Sequence, residues 1–231
     1  SAGNLPASTE TPVIPPVTPD DKGLKGSAED TACFPDLDDQ PFEYREAICL
    51  AQKHGIISGS GGFFRPNDSI NRAEVSKILV TGPMVIFNIL SKAEADNLNR
   101  QFQIQRFSDV PSSAWYFGFV ETVKEALIVD GYPDGSFRPG NSLNRAEGAK
   151  MILNTVRQLQ PDAFSPQENP QLNIQPGEAW YTGFVRVLNN NGGDLPDAVN
   201  AAELAQPMSR GEFIYNLMIL LDSKAGAFTT Q

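Results

Sequence analysis

The sequence has little cysteine, little histidine and no long apolar run, and each shortage excludes a class of protein. Two cysteines and one histidine are too few for a structural zinc site, and we predict neither a metal nor a cofactor. No apolar run reaches the roughly 18 residues of a transmembrane helix. Basic residues are also scarce, 18 against 28 acidic ones, so neither a nucleic acid nor an anionic lipid surface is expected as a partner.

The first 31 residues are rich in proline, serine and threonine and have no periodic apolar pattern, which predicts a flexible linker. They also lack a basic region followed by an apolar stretch, so they are not a signal peptide. Two alternatives stay open: the protein remains inside the cell, or the sequence is a mature or trimmed form. Cys33 and Cys49 are either two buried thiols or, in an exported protein, a disulfide.

An internal repeat follows the linker. The stretch "GFFRPNDSINRAE" at 62–74 returns as "GSFRPGNSLNRAE" at 135–147. A third copy keeps Trp180 and Arg210 in the places of Trp115 and Arg145, but its middle has decayed to "PDAVNAAELAQP". Self-similarity of this kind indicates one supersecondary unit used three times. The loss of the middle removes the loop before Arg210.

Each copy is predicted to fold as helix–loop–helix. In the second copy, Phe119, Val123, Ala126 and Leu127 are predicted to share the inner face of the first helix. Its second helix carries a stripe of Ala149, Ile152, Leu153 and Val156, and the third copy repeats this stripe with Ile214, Leu217, Met218 and Leu221. Between the first two copies, a further helix is predicted, broken from the preceding one at Gly82–Pro83.

The second helix of every copy starts with a capping box, a polar N-cap residue followed three residues later by Glu. The pairs are Asn71 with Glu74, Asn144 with Glu147, and Ser209 with Glu212. Each box places an arginine at the first helical position: Arg72, Arg145 and Arg210. A cation is unfavourable there by about 0.3–1 kcal/mol, but a bound anion reverses that penalty. The arginines are therefore candidates for binding an anion, and the alternative is a solvated side chain or an ion pair with a neighbouring Glu.

These motifs resemble the S-layer homology (SLH) domain. The second copy has "FSDV" at 107–110, Trp115, "GYPDGSFRP" at 131–139 and "NRAE" at 144–147; the first has "FPDL" at 34–37 and Phe42 in place of Trp. The resemblance implies a mainly α fold, with three repeats in a pseudo-threefold arrangement around a central three-helix bundle. It also implies glycan-binding grooves between repeats, with these site residues: Arg72, Arg145, Arg210, Trp115, Trp180, Gly131 and Gly62.

The division expected from this resemblance has five parts: a linker at 1–31, repeat 1 with a helical insertion at 32–105, repeat 2 at 106–160, a degenerate repeat 3 at 161–225, and a tail at 226–231. The implied function is non-covalent cell-wall anchoring of an exported or S-layer protein, at the cell surface. The implied partner is a pyruvylated secondary cell-wall polysaccharide, with S-layer neighbours as further partners. The alternative is an assembly scaffold that binds protein rather than glycan. No catalytic motif is present, so an enzyme is not expected.

Overall fold

The computed structural model describes residues 33–171 and 174–227, so the predicted linker and most of the predicted tail lie outside the described residues. The described part is mainly helical, which confirms the predicted fold class. Its helices are α1 (Phe42–Lys53), α2 (Arg72–Leu79), α3 (Lys92–Asp96), α4 (Leu98–Gln101), α5 (Phe117–Glu125), α6 (Arg145–Leu159), α7 (Thr182–Asn190), α8 (Ala201–Leu204) and α9 (Arg210–Ala225). None of them has the length and hydrophobicity to span a bilayer.

The helices form three units, each with a first helix, a loop and a second helix: α1 with α2, α5 with α6, and α7 with α9. Three backbone hydrogen bonds close the units into a ring just before their second helices. Leu143 N donates to Ile70 O at 2.8 Å, Met208 N to Leu143 O at 2.7 Å, and Ile70 N to Met208 O at 3.1 Å. Each unit donates to one neighbour and accepts from the other, so the three units are related by an approximate threefold axis.

The second helix of each unit packs on the first helix of the next. In this way α2 contacts α5, α6 contacts α7, and α9 contacts α1. The predicted stripes on α6 and α9 are fully buried, and these two helices pack directly on each other. The bundle is unequal, however, because α2 is only eight residues long. The unit that contains α2 reaches α6 through the turn that follows the helix.

That turn, Val80–Met84, is a π-helical turn containing Pro83. Pro83 has no N–H to donate, so the regular helical ladder cannot continue through it. Gly82 allows a close approach here, since a Cβ atom on it would lie 2.7 Å from Ile56 Cγ2. The predicted break therefore lies where expected. The insertion that follows forms two short helices, α3 and α4, instead of the single helix that the sequence predicted.

The inner face of α5 differs from the prediction. The structure buries Phe117, Val120 and Val123 completely, whereas Leu127 is 68% exposed. The helix begins at Phe117, and Leu127 lies beyond its end with a φ of 57°. The prediction for Leu127 was wrong because it continued the helical period beyond the end of the helix. Phe119 and Ala126 are partly buried and pack against the core, and Phe119 also lies beside Trp115, with 6.4 Å between the ring centroids.

The start of each of the first two units is fastened to its first helix. Cys33 and Cys49 form a disulfide across 16 residues, joining the start of unit 1 to α1. At the corresponding place in unit 2, Arg106 binds the fully buried Glu121 of α5. Its backbone N lies 2.9 Å from Oε1 and its guanidinium Nη1 lies 2.8 Å from Oε2. The disulfide in unit 1 and the partly buried ion pair in unit 2 therefore make the same connection, between the start of the unit and its first helix.

The connection between α6 and α7 is held to α9 by Glu168, and this contact predicts a pH dependence. Burial raises the pKa of Glu168, but hydrogen bonds from Lys224, the Ser165 backbone and Asn191 outweigh it and lower the pKa to about 2. Because the folded-state pKa lies below the unfolded value of about 4.3, the stabilisation is complete above pH ~5 and is lost as pH falls towards ~2.

Glu168→Gln is accordingly expected to lower the free energy of unfolding by about 1–2 kcal/mol near neutral pH and by about half as much near pH 3. Urea denaturation of the native chain and the variant at both pH values measures this difference. Glu125→Gln, on the exposed end of α5, is the matched control. A constant difference across the pH range would contradict the assignment of this ion pair.

A groove at the junction of the three units

One groove, about 290 Å³ in volume, is lined by residues from all three units. Unit 1 contributes Arg72, the first residue of α2, and unit 3 contributes Trp180, just before α7. Unit 2 contributes the loop after α5 and one face of α6, with the following lining residues: Ile128, Val129, Asp130, Gly131, Tyr132, Glu147, Lys150 and Met151. The ring closure places these three elements together.

Arg72 is 5% exposed, and three kinds of contact fix its guanidinium. Nε donates to the carbonyl oxygen of Phe137 at 2.8 Å, and Nη1 lies 3.2 Å from Glu147 Oε1. Its Cζ lies 4.6 Å from the Phe137 ring centroid and 4.9 Å from that of Tyr132. Cation–π contacts and an ion pair of this kind hold the planar donor set in one orientation at the groove.

The groove contains a second cation, Lys150, which lies close to an acidic and an aromatic side chain. Lys150 Nζ is 2.6 Å from Asp130 Oδ2, and its hydrogen bond lowers the pKa of Asp130 despite partial burial. The same ammonium lies 5.8 Å from the Trp180 ring centroid. Tyr132 donates to Glu147 at 2.5 Å, and burial, followed by this hydrogen bond, raises the Tyr132 pKa. Arginine, lysine and a half-exposed indole thus face one cavity.

The three arginines do not pair with the Glu of their own capping box. Arg72 pairs with Glu147, Arg145 with Glu212 at 2.6 Å, and Arg210 with Glu74 at 3.7 Å. Each Glu also accepts from the N-cap backbone of its own helix, completing the capping box. The repeated Arg–Glu pair therefore connects one unit to the next. The ion pair that the sequence offered as an alternative therefore forms, but it joins two units and does not lie within one.

The loop that packs on each arginine also belongs to the following unit. Arg210 Nε donates to Phe64 O at 3.0 Å and its Cζ lies 5.1 Å from the Phe64 ring, as Arg72 does with Phe137. Arg145 instead donates from Nη1 to Glu203 O at 3.1 Å, in the short helix α8 that replaces the loop. The decay of the third copy therefore alters the surroundings of Arg145 and not, as the sequence suggested, those of Arg210.

Unit 3 carries an aromatic stack that the Arg72 groove lacks. Tyr215 takes the place that Lys150 has in unit 2, and it stacks on Tyr44 at 4.5 Å between ring centroids. Tyr44 donates to Asp194 at 3.2 Å, and burial, followed by the Asp194 charge, raises its pKa. A cation of the Arg72 groove is thus exchanged for a phenol at the corresponding position.

The loops themselves are held by Asp36 and Asp109, which the sequence motif includes. Asp109 accepts from the backbone N atoms of Phe137 and Arg138, both at 2.7 Å, and Asp36 accepts from Phe64 and Arg65. For Asp36, burial raises the pKa, but these backbone donors outweigh it and lower the pKa. The aspartates therefore fix the carbonyl groups to which Arg72 and Arg210 donate.

The remaining predicted site residues, Gly131, Gly62 and Trp115, lie in three different places. Gly131 lines the groove with a φ of 84°, and a Cβ there would lie 2.3 Å from Phe107. Gly62 instead corresponds to Gly135, at the turn of its loop, and has open space where a Cβ would be. Trp115 lines a separate pocket beside the insertion. Sequence reasoning missed Lys150, although it follows Glu147 by three residues, about one helical turn, on α6.

The chain is similar to a known family of repeats. The S-layer homology domain model matches residues 34–76 and 106–149, which are the first two units of the ring. This confirms the resemblance inferred from the motifs. Unit 3 closes the same ring, with a loop that has diverged.

Several curated proteins are similar to parts of the chain. A surface layer protein of Brevibacillus choshinensis is 29% identical over 65% of the chain and 13% of its own length. A cellulosome-anchoring protein of Acetivibrio thermocellus is 33% identical over 55% of the chain and 26% of its own length. An amylopullulanase of Thermoanaerobacterium thermosulfurigenes is 36% identical over 47% of the chain. That match covers 6% of the enzyme, so the chain spans only a small part of each relative.

Proposed function

We propose that this chain, which carries S-layer homology repeats at residues 34–76 and 106–149, anchors an exported protein to the cell wall by binding an acidic polysaccharide. The relatives include a surface layer protein and a cellulosome-anchoring protein, and the cell surface is the location they share. The match to an amylopullulanase covers only 6% of that enzyme, so we assign binding and not its activity.

The observation that carries the proposal is the presence of two cationic side chains, Arg72 and Lys150, in one open groove. The chain has a formal net charge of −10, so its overall field opposes an anionic ligand. Binding must therefore come from local contacts, and charge-assisted hydrogen bonds are the strongest available. Phe137 O and Glu147 engage Nε and Nη1 of Arg72, so Nη2 is the donor that we assign to the ligand.

A carboxylate fits this arrangement, because Nη2 of Arg72 and the ammonium of Lys150 can each donate a charge-assisted hydrogen bond to one of its two oxygens. Trp180, which is 50% exposed, offers the apolar face on which a sugar ring can stack. A pyruvate ketal, which places a carboxylate directly on a sugar ring, would engage both. We therefore propose a pyruvylated cell-wall polysaccharide as the ligand.

The test is calorimetric titration of the native chain with purified cell-wall polysaccharide, before and after mild acid removes the ketal-linked pyruvate. We expect binding to the intact polymer and at least ten-fold weaker binding after the treatment. Lys150→Ala is expected to weaken binding to the intact polymer to a similar degree, since it removes the second cation. Lys53→Ala, at the end of α1, is the matched control and should bind normally.

Two results would overturn the proposal. Equal affinity for treated and untreated polymer would exclude pyruvate as the recognised group. Equal affinity of the native chain and Lys150→Ala would exclude the groove. In the second case the assembly alternative, in which the domain binds protein neighbours, becomes the better account of the fold.

A further inference from the structure

A second pocket, about 200 Å³ in volume, lies between the insertion and the first helix of unit 2. The insertion contributes the residues from Ala95 to Arg100, and unit 2 contributes Trp115 and Phe119. Sites for drug-sized ligands have volumes of about 300–1,000 Å³, so this pocket has room for a smaller group. The first unit-to-unit connection is longer than the second, and the added length builds this pocket.

The insertion is held firmly where it forms the pocket. The side chain of Asn99 donates to Ala114 O at 3.0 Å and accepts from Gly118 N at 2.7 Å. Gly118 is packed against it so closely that a Cβ would lie 2.5 Å from Leu98 Cβ and 2.6 Å from Asn99 N. The buried side chains of Ala95 and Leu98 anchor the two short helices. The pocket is therefore a preformed feature of the fold.

The two tryptophans occupy equivalent positions but line different cavities. Trp115 contacts Tyr116 and Phe119 at centroid distances of 5.4 and 6.4 Å, and Trp180 contacts Tyr181 and Phe184 at 5.6 and 6.4 Å. Trp180 lines the Arg72 groove with two cations, whereas Trp115 lines the pocket of the insertion. Trp115 is 54% exposed, so one indole face is available for stacking.

The polar lining of the pocket selects against an ion. Asp96 and Arg100 carry opposite charges, and both are exposed. The carboxylate accepts hydrogen bonds and the guanidinium only donates them. A ligand that pairs with both must donate and accept hydrogen bonds, and the opposite charges favour neither a net anion nor a net cation. Hydroxyl groups on a ring with an apolar face meet this requirement.

We propose that this pocket binds one neutral sugar ring, stacked on Trp115, with its hydroxyl groups hydrogen-bonded to Asp96 and Arg100. The subsite is separate from the Arg72 groove. It rests on the proposed function only in that the sugar belongs to a cell-wall glycan. Two subsites on one polymer raise its overall affinity through effective concentration, without requiring strong binding at either one.

Tryptophan fluorescence tests the proposal directly, because the chain has only two tryptophans. In the Trp180→Phe variant of the full chain, Trp115 is the sole indole reporter. Titration with N-acetylglucosamine, N-acetylmannosamine and glucose is expected to give a saturable emission change with at least one of them, with a Kd on the order of 1 mM. Adding Asp96→Ala and Arg100→Ala should weaken that binding at least ten-fold. Lys92→Ala, also on α3 but outside the pocket, is the matched control.

The absence of a saturable change up to about 100 mM of every sugar would overturn the proposal. So would an emission change that persists unaltered in the Asp96→Ala/Arg100→Ala variant. The outcome is independent of the anchoring test, since Lys150→Ala leaves this pocket intact. A chain that binds neutral sugar but not the acidic polymer would retain the subsite and lose the proposed function. The reverse result would retain the anchor and reject the subsite.

Discussion

Replacing Arg72 with alanine is expected to weaken binding of the acidic polysaccharide by roughly 10- to 100-fold. The change removes the donor that we assign to the ligand, and it also leaves Glu147 without its guanidinium partner. Arg72 is 5% exposed, so the free energy of unfolding should fall by about 3 kcal/mol as well. Calorimetric titration and urea denaturation measure the two effects separately.

The equivalent arginines provide the control within the same chain. Arg210, like Arg72, contacts a loop carbonyl and an aromatic ring, and Arg210→Ala removes both contacts. Arg145 instead donates to a carbonyl of α8, so Arg145→Ala removes a different contact. We therefore expect the loss of binding to decrease in the order Arg72, Arg210, Arg145. Arg72→Lys keeps the charge without the planar donors, so it should remain folded and still bind at least several-fold more weakly. Native affinity in Arg72→Lys and equal losses in all three alanine variants would contradict the groove assignment.

Replacing both Cys33 and Cys49 with serine is expected to lower the free energy of unfolding by about 3 kcal/mol. The disulfide closes a loop with a sequence separation of 16, and its loss restores conformational entropy to the unfolded chain. For a chain of this size, that corresponds to a fall in Tm of roughly 6–12 °C. Thermal melts followed by circular dichroism, with and without a reducing agent, measure the change.

The reducing agent provides an internal control for the disulfide. It should lower the Tm of the native chain towards that of the double serine variant and leave the variant itself unchanged. Because neither cysteine lines the groove, polysaccharide affinity at low temperature should be similar in both proteins. If reduction does not change the Tm of the native chain, and the double serine variant has the same Tm as the native chain, the bond does not stabilise the fold.

Local features of the site were predictable from the sequence because they depend on residues close together in the chain. A capping box involves positions three residues apart, and Asn71, Asn144 and Ser209 all accept from the Glu backbone N that the pattern indicates. The buried stripes of α6 and α9 likewise follow from the helical period. Each prediction uses a geometry that the local sequence alone sets.

Relations between units were not predictable in the same way. Nothing in "NRAE" shows whether Arg72 packs under its own loop or under the next one, because that depends on the direction in which the ring closes. The structure shows the next one, through Phe137 and Glu147, and so the decayed loop affects Arg145. The pocket at Trp115 was equally hidden, since it needs the insertion to fold back on Gly118.

The disulfide also determines how a pulling force travels through an anchor of this kind. Tension that arrives through the residues before Cys33 passes across the bond to Cys49, in the middle of α1, instead of stripping residues 34–48 from the domain one at a time. α1 in turn packs on α9, so the disulfide connects the residues before Cys33 to the contact between the first and third units.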